Sequence, residues 1–226
     1  MNKAFLTFLL LLLNYTSFCQ VLDTANLVVP KQKQARKMSQ IPAANVLCRE
    51  GNISYRMGLV KEGISYFKQA DLIDSTNSLI KQNIGFGYMR LSSYDDAIQQ
   101  FKHAILLNER DSSAKRSIIL CYMHKGDYEE SILNAKKYLK EYPVDPEGYY
   151  NLMTVYYADR DLKQASKYGT MAMKLYEQVN SRSVYDAYYF LGKIYFEQEN
   201  FKKSDSMFQK VRDRGIRVED KYNRKL

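Results

Sequence analysis

A spacing of 34 residues recurs along this chain and limits the folds that it can adopt. The recurring residues are small or aromatic, and they include Gly51 and Gly85, Phe67 and Phe101, Ala70 and Ala104, and Tyr88, Tyr122 and Tyr156. A fixed period of this length is typical of one supersecondary unit that is copied along the chain. Each copy buries its apolar face against its neighbours, so the sequence predicts a stack of similar units.

One complete unit spans residues 78–111 and has the pattern of two amphipathic helices joined by a short polar turn. Ala97, Phe101 and Ala104 follow one another at spacings of four and three, so they share one face of a helix. Small residues such as Gly85 let two helix backbones come close, and the ring of Tyr88 fills space around them. A hairpin this short cannot bury both faces alone, so it needs neighbours of its own kind.

The period slips once, after residue 178. Tyr156 and Tyr195 are separated by 39 residues, which is one repeat plus five inserted residues. Five units are therefore predicted, at residues 44–77, 78–111, 112–145, 146–179 and 185–218. The predicted helix pairs are roughly 44–57 and 60–73, 78–91 and 94–107, 112–124 and 128–141, 146–158 and 162–178, and 184–198 and 201–213. Few alternating β-branched runs occur, which favours an all-α fold.

The second unit resembles the signature of the tetratricopeptide repeat (TPR) family. The matching residues are Ile84, Gly85, Tyr88, Tyr94, Ala97, Phe101 and Ala104. The third unit departs from the pattern at Ile119, Ala135 and Tyr138, where large and small residues are exchanged, and the fourth has Gly169 where the family has an aromatic residue. The resemblance implies a right-handed α-solenoid of about five TPR helix-turn-helix repeats.

The amino terminus has the pattern of an export signal. Lys3 supplies a positive start, and residues 5–13 form an apolar run that is short for a membrane span. We expect residues 1–19 to be removed, which predicts an exported protein, periplasmic or secreted. The alternative is a lipid anchor on Cys19, which the bulky Phe18 disfavours. The leucine-rich core followed by a small residue and Gln20 is similar to signals of the Bacteroidetes group of bacteria.

Two segments lie outside the repeats. Residues 20–43 are predicted to be a lead-in segment, either one helix or mobile, and residues 219–226 a charged tail that forms a short capping helix or frays. The net charge of +9 predicts either an acidic partner or lysines that solvate outer helix faces. Two clusters are locally basic: Lys31, Lys33, Arg36 and Lys37 before the repeats, and Arg214, Arg217, Lys221, Arg224 and Lys225 after them.

No arrangement of residues predicts catalysis, a cofactor or a metal. His103 and His124 are the only histidines, and neither has a second ligand at metal-binding spacing. Cys48 and Cys121 lie about two repeats apart, whereas a disulfide needs Cα atoms within about 7 Å. We therefore expect no disulfide between them, with Cys121 a core residue and Cys48 facing the concave side of the array. Paired acids at predicted helix starts are explained by the helix dipole.

The resemblance to other TPR arrays places candidate partner-binding residues on a concave groove lined by the first helix of each hairpin. They are Cys48, Asn52, Arg56, Gln82, Phe86, Arg90, Arg116, Leu120, His124, Tyr150, Thr154, Tyr157, Tyr189, Lys193 and Phe196. The arginines of the amino half suit an acidic segment or a terminal carboxylate. The aromatic carboxy half suits an extended peptide or a helix face. The alternative is that these rings only pack neighbouring helices.

The family's peptide-carboxylate clamp is not expected here, because Cys48, Ser113 and Ser117 stand where its three basic residues belong. The sequence as a whole predicts a non-enzymatic scaffold or adaptor of the cell envelope that binds a protein or peptide partner in the groove. An acidic partner is one of the two interpretations of the net charge. The alternative is a binder of an envelope surface, anionic polymer or lipid through the basic clusters at the two ends. An export signal argues against a nucleic-acid partner, and no small-molecule substrate is expected.

Overall fold

A computed structural model describes residues 39–222 and folds this part of the chain entirely into helices and turns. The α-helices are α1 (Pro42–Arg56), α2 (Val60–Ile73), α3 (Ser78–Arg90), α4 (Tyr94–Leu107), α5 (Ser112–Lys125), α6 (Tyr128–Glu141), α7 (Pro146–Ala158), α8 (Leu162–Gln178), α9 (Val184–Glu197) and α10 (Phe201–Asp213). A short 3-10 helix follows at Asp220–Tyr222. Their ends lie within about two residues of the predicted ends. The predicted signal, most of the lead-in segment and the last four residues lie outside the described residues.

Capping side chains determine where several helices begin. Asp111 accepts a hydrogen bond from the amide of Ala114 at 2.9 Å, and Asp161 accepts one from the amide of Gln164 at 2.9 Å. Side chains also cap α3, α7 and α10, through Asn77, Asp145 and Asn200. Such oxygens satisfy amides that have no partner within the helix. The predicted acidic pairs lie in the first turns of α4 and α6, where they complement the helix dipole.

Every hairpin turn contains one residue with a left-handed backbone. The five residues are Gly58, Ser92, Gly126, Arg160 and Glu199, with φ values between 58° and 83°. The residue that follows each of them donates its amide hydrogen back to a carbonyl in the last turn of the first helix. Asp127 bonds to Tyr122 in this way at 2.9 Å, and Asp161 bonds to Tyr156 at 2.9 Å. This geometry ends the first helix and reverses the chain at the same position in each repeat.

Each helix packs against the next helix in the sequence, and α5 also packs against α7, the first helix of the following hairpin. First helices are buried on several sides, as the continuous buried run Asn151–Tyr156 of α7 demonstrates. Second helices bury one face, as α6 does through Ser131, Ala135 and Tyr138. The described chain is therefore an α-solenoid with an inner layer of first helices and an outer layer of second helices. None of the helices between residues 39 and 222 has the length and apolar character needed to cross a membrane.

The contact between the two helices of a hairpin is filled in two opposite ways. Three repeats place glycine on the first helix and phenylalanine on the second: Gly51 with Phe67, Gly85 with Phe101, and Gly192 with Phe208. The third and fourth repeats reverse the sizes, with Ile119 opposite Ala135 and Met153 opposite Gly169. A Cβ on Gly85 would lie 2.8 Å from Cε1 of Phe101, and a Cβ on Gly169 would lie 2.6 Å from Sδ of Met153. In each pair the small residue makes room for the large one.

The chain folds back on itself after α10. Val218 and Tyr222 are only 4% and 5% exposed, and the Tyr222 ring lies 5.1 Å from the rings of both Phe196 and Phe208. The segment 216–222, called the tail below, therefore covers apolar surface that the next repeat would cover in a longer array. The sequence allows two expectations for this end, a short capping helix or a frayed end. Residues 220–222 form a short helix that packs on α9 and α10, as the first expectation has it.

Candidate functional site

The candidate site is the first-helix face, meaning the surface of α1, α3, α5, α7 and α9 that carries the sequence-predicted residues. At its amino end Arg56 is exposed and Asn52 is half-buried, one helical turn apart on α1. Arg56 forms no ion pair with any residue between 39 and 222. Its guanidinium is available to an anionic group of a partner.

The other two arginines of the amino half are used within the protein, so the expectation of an open arginine row is wrong for them. Arg90 donates a hydrogen bond to the carbonyl oxygen of Tyr55 at 3.0 Å, and its guanidinium lies 5.5 Å from the centre of that ring. Arg116 donates to the Tyr138 hydroxyl at 3.1 Å and to the Asp145 carboxylate at 2.9 Å. Burial and the hydrogen bond to Asp145 raise the pKa of Tyr138 to about 12, so its hydroxyl stays protonated.

Gln82, Cys48 and Thr154 are buried, which corrects their predicted place on an open groove. The Gln82 side-chain amide donates to the carboxylate of Asp111, the residue that caps α5. The Thr154 hydroxyl donates to the carbonyl of Asn151 at 2.8 Å. Cys48 is 1% exposed, and burial, with a smaller contribution from Asp74, raises the pKa of its thiol to about 11. These side chains stabilise the stack instead of offering contacts.

The middle of the face is less polar than its sequence suggests. Phe86 meets Phe101 edge to face with 5.2 Å between ring centres, and Leu120 is half-buried. His124 stacks on Tyr94 at 5.7 Å, and burial lowers the pKa of the imidazole. His124 is therefore neutral at neutral pH and presents an aromatic surface rather than a charge.

The carboxy half contains a cluster of half-buried rings around Phe190. Tyr157 and Tyr150 lie 5.1 Å and 6.1 Å from the Phe190 ring, both edge to face. The ammonium of Lys193 lies 5.3 Å from the centre of Phe190 and 5.7 Å from the centre of Tyr157. Phe190 was not among the predicted residues, although it lies in an aromatic run of α9 that includes Tyr188 and Tyr189. We call Tyr150, Tyr157, Phe190 and Lys193 the aromatic cluster.

Charged neighbours orient the aromatic cluster. The Tyr157 hydroxyl donates to Glu197, which also accepts a hydrogen bond from Arg160 at 3.1 Å. Burial and this bond raise the pKa of Tyr157, so it remains a donor. Burial lowers the pKa of Lys193, with Lys221 acting in the same direction and Glu219 opposing. The cluster thus combines aromatic surface with a partly desolvated ammonium group, an arrangement that suits an acidic side chain carried on an apolar segment.

The tail covers the last part of the predicted face. Tyr189 donates to the Glu219 carboxylate at 2.9 Å, and the Phe196 ring packs edge to face on Tyr222. Both side chains remain half-buried with the tail in place, so the tail takes up part of the surface that was predicted to contact a partner. The tail contacts were not predicted from the sequence, although Tyr222 is the one aromatic residue in that charged stretch.

A carboxylate pair that the sequence analysis missed lies beside the aromatic cluster. Burial, followed by the smaller effect of the nearby Glu147, raises the pKa of Asp186, in the first turn of α9, to about 6. Both acids also raise the pKa of Tyr150, after the larger effect of burial. No group of three or more metal-ligating side chains occurs among residues 39–222, and Cys48 and Cys121 are free and buried there.

Two family models, both described as tetratricopeptide repeat, match residues 87–146 and 185–211. Both matched segments are tetratricopeptide repeats. Solved TPR-like structures agree in fold: Pseudomonas aeruginosa PilF has a TM-score of 0.65 at 13% identity, over 80% of this chain and 79% of that one. A search of curated proteins finds no match.

Two further structures show the same likeness. MamA from Desulfovibrio magneticus RS-1 has a TM-score of 0.61 at 17% identity, over 77% of this chain and 96% of that chain. A tetratricopeptide repeat protein from Parabacteroides merdae has a TM-score of 0.63 at 16% identity, over 76% of this chain and 66% of that chain. At these identities the likeness extends to the fold alone. TPR repeats are typically non-catalytic scaffolds for protein partners.

Proposed function

We propose that this TPR protein is an exported, non-enzymatic scaffold of the cell envelope that binds a protein or peptide on its first-helix face. The observation that carries the proposal is the aromatic cluster, where Tyr150, Tyr157 and Phe190 remain half-buried around the ammonium of Lys193. Partly exposed aromatic side chains in a rigid setting are typical of residues that dominate binding energy. The predicted export signal supports the envelope location, with a lipid anchor on Cys19 as its variant.

The bound segment is proposed to be acidic at two places. Lys193 offers a cation between two rings, and Arg56 offers an exposed cation at the other end of the face. The carboxylates of Asp186 and Glu147 raise the pKa of Tyr150 and would repel an acid near that ring, so the acidic group of the partner belongs on the Lys193 side. This arrangement of positive and negative charges favours one direction of an extended segment along the first-helix face.

Surface binding through the basic ends is the second candidate, and the described carboxy end favours it less. Arg217 lies 3.6 Å from Asp220, and Lys221 lies 2.7 Å from Glu219. Two of the five basic residues in that cluster therefore have an acidic neighbour. The amino-terminal cluster lies outside the described residues.

The test begins with crosslinking in the native cell and mass spectrometry of the captured proteins. Binding of a purified partner is then measured for Tyr157→Ala and Arg56→Glu. Tyr149→Ala and Arg110→Glu serve as controls, because Tyr149 is another half-buried ring of α7 and Arg110 is another exposed arginine. Arg90 is unsuitable, since its loss would also remove the contacts to Tyr55.

We expect Tyr157→Ala to weaken binding by about 30-fold, the size of a 2 kcal/mol hot spot. Arg56→Glu should weaken it less and in a salt-dependent manner. Both controls should bind like the parent protein. A captured partner whose affinity is unchanged by both test variants would refute binding on this face.

A further inference from the structure

The outer layer of this protein carries a basic surface that the first-helix face does not explain. We define the outer patch as positions 65, 68, 69 and 72 of α2 and the positions 34 and 68 residues further on, in α4 and α6. These positions follow the i, i+3, i+4, i+7 spacing of one helix face, and all twelve residues are exposed. Because the three helices belong to consecutive repeats, their patches follow one another along the outer layer.

The charge of the outer patch is one-sided. It contains Lys68, Lys102, Lys136, Lys137 and Lys140 and no acidic residue. None of these lysines forms an ion pair with a residue between 39 and 222. The acids of the same helices lie elsewhere: most occupy first turns, Asp71 pairs with Lys81 at 2.6 Å, and Glu141 pairs with Lys115. The five positive charges are therefore uncompensated on this face.

Three leucines project from among these lysines. Leu72, Leu106 and Leu133 are 88%, 79% and 61% exposed. Leu72 and Leu106 occupy the same position in consecutive repeats, and each follows a patch lysine by one helical turn. Exposure of this degree for three large apolar side chains on one basic face is unfavourable in water, and burying each would be favourable.

A cleft opens between two of the patch lysines. Lys102 on α4 and Lys137 on α6 stand at the rim of a space of about 570 Å³. Its walls include the apolar side chains of Ile105 and Ile118 and the ring of Tyr142. Arg110 and Lys115 also line this space, as do Glu109 and Glu141, and Glu141 pairs with Lys115. Because cations outnumber acids in the lining, a phosphate group between Lys102 and Lys137 would meet net positive charge.

We propose that the outer patch binds the surface of an anionic phospholipid bilayer, with the lysines on the headgroups and the leucines in the interfacial region. Protein interfaces are depleted in lysine and enriched in aromatic residues and arginine. The outer patch has the opposite composition, with five lysines, no arginine and no aromatic residue. Separate leucines surrounded by lysines suit a fluid surface into which each side chain inserts on its own. The protein would then hold a partner on its inner face while the outer layer rests on the membrane.

The first test measures binding of the full chain to vesicles of phosphatidylglycerol and phosphatidylethanolamine, and to vesicles of phosphatidylcholine alone. A lysine near an anionic membrane contributes roughly five-fold in affinity, so the variant Lys102→Gln, Lys136→Gln, Lys137→Gln should bind about 100-fold more weakly. The control is Lys61→Gln, Lys163→Gln, Lys202→Gln, which removes three exposed lysines from the first turns of α2, α8 and α10, at positions outside the outer patch. Both variants have the same amino terminus, so their difference reports the outer patch.

The second test uses the absence of tryptophan from this sequence. Leu106→Trp should show a blue shift of its emission on anionic vesicles, because the side chain leaves water. Met57→Trp places the reporter at a side chain that is 68% exposed outside the outer patch, and it should show no shift. A parallel binding assay with the purified partner of the first-helix face should be unaffected by the lysine variants.

Selective loss in the patch variant together with a shift only at position 106 supports the proposal. Equal loss in both lysine variants would overturn it, because net charge alone would then explain binding. Binding without a shift at position 106 would overturn the proposed orientation. If the patch variant binds vesicles normally but loses an acidic protein, the occupant is a protein and the lipid proposal is refuted.

Discussion

Replacing Asp186 by asparagine should stabilise this protein at neutral pH. The carboxyl group lies half-buried beside Glu147, and burial, followed by that second acid, raises its pKa from 3.8 to about 6. In the folded protein the ionised form is therefore disfavoured relative to the unfolded chain. Asparagine has a similar shape and no charge, so Asp186→Asn removes the unfavourable ionisation while keeping the packing.

Two opposing effects set the size of the gain. A shift of about two pKa units corresponds to about 3 kcal/mol against the folded state when Asp186 is ionised. Asp186 also lies in the first turn of α9, where a negative charge gains about 0.3–1 kcal/mol from the helix dipole. The first effect is larger, and partial exposure to solvent reduces it. We expect a net gain of about 1–2 kcal/mol at pH 8.

The pH dependence follows from the direction of the shift. A raised pKa means that the folded protein binds a proton more tightly than the unfolded chain does. The stabilisation from protonated Asp186 is complete below about pH 3.8 and is lost as pH rises through about 6. The advantage of Asp186→Asn should therefore be full at pH 8 and should shrink towards zero at pH 4. Urea unfolding followed by circular dichroism at several pH values measures it.

Asp96→Asn is the matched control, because Asp96 is an exposed acid in the first turn of α4. That change should lower the free energy of unfolding slightly, by about 0.3–1 kcal/mol at neutral pH, through loss of the dipole interaction. The reasoning about Asp186 is refuted if Asp186→Asn is also destabilising at pH 8, or if its effect is the same at pH 4 and pH 8.

Three further outcomes are expected. Glu199→Gly should raise the free energy of unfolding by about 0.5–1 kcal/mol, because φ of Glu199 is 59°, a left-handed conformation that favours glycine. Gly126→Ala at the equivalent turn should lower the free energy of unfolding by about 1 kcal/mol, and urea midpoints measure both changes. Tyr222→Ala should cost about 3 kcal/mol, because a ring that is 5% exposed would leave a cavity between two other rings, and an unchanged unfolding midpoint would contradict the packing of the tail. Cys48 and Cys121 should react with a thiol reagent at pH 8 only after denaturation, because burial raises their pKa values to about 11 and about 12; rapid labelling of the folded protein would contradict this.

The helices and turns were predictable because they depend on local chemistry that repeats. A turn residue such as Gly126, an acidic first turn such as that of α6, and apolar residues at helical spacing each act within one hairpin. When the same pattern recurs at a fixed interval, the helices of a weakly matching repeat can be assigned from the stronger repeats beside it. The tail was not predictable in this way, because Tyr222 belongs to no repeat and its partners lie in two different helices.

The first-helix face was harder to predict because availability depends on the following repeat. Gln82 bonds to Asp111 and Arg116 bonds to Asp145, and in both cases the acceptor is the residue that caps the next first helix, 29 residues further on. Judged from its own helix alone, a side chain at this position would be expected to be exposed. In the stack it forms a hydrogen bond with the capping residue of the next repeat. Arg56 lacks such a neighbour among the described residues and stays exposed. Candidate contacts in a repeat protein should therefore be judged against the next unit as well as their own.

The third and fourth repeats exchange large and small residues relative to the family signature and still stack normally. What must be conserved is the combined volume of two facing residues, because helix backbones in a hairpin approach only as far as their side chains allow. The large residue is on the second helix in the pair Gly85–Phe101 and on the first helix in the pair Met153–Gly169, and both pairs fill the contact. The third repeat lies within the matched segment 87–146 despite the exchange, whereas residues 147–184 lie outside both matched segments. The exchange also moves the bulk from the outer layer to the inner one at α5 and α7. In α7 the buried run Asn151–Tyr156 contributes to the core cluster against which the half-buried rings of Tyr150 and Tyr157 pack, so the buried residues of α7 support these two rings.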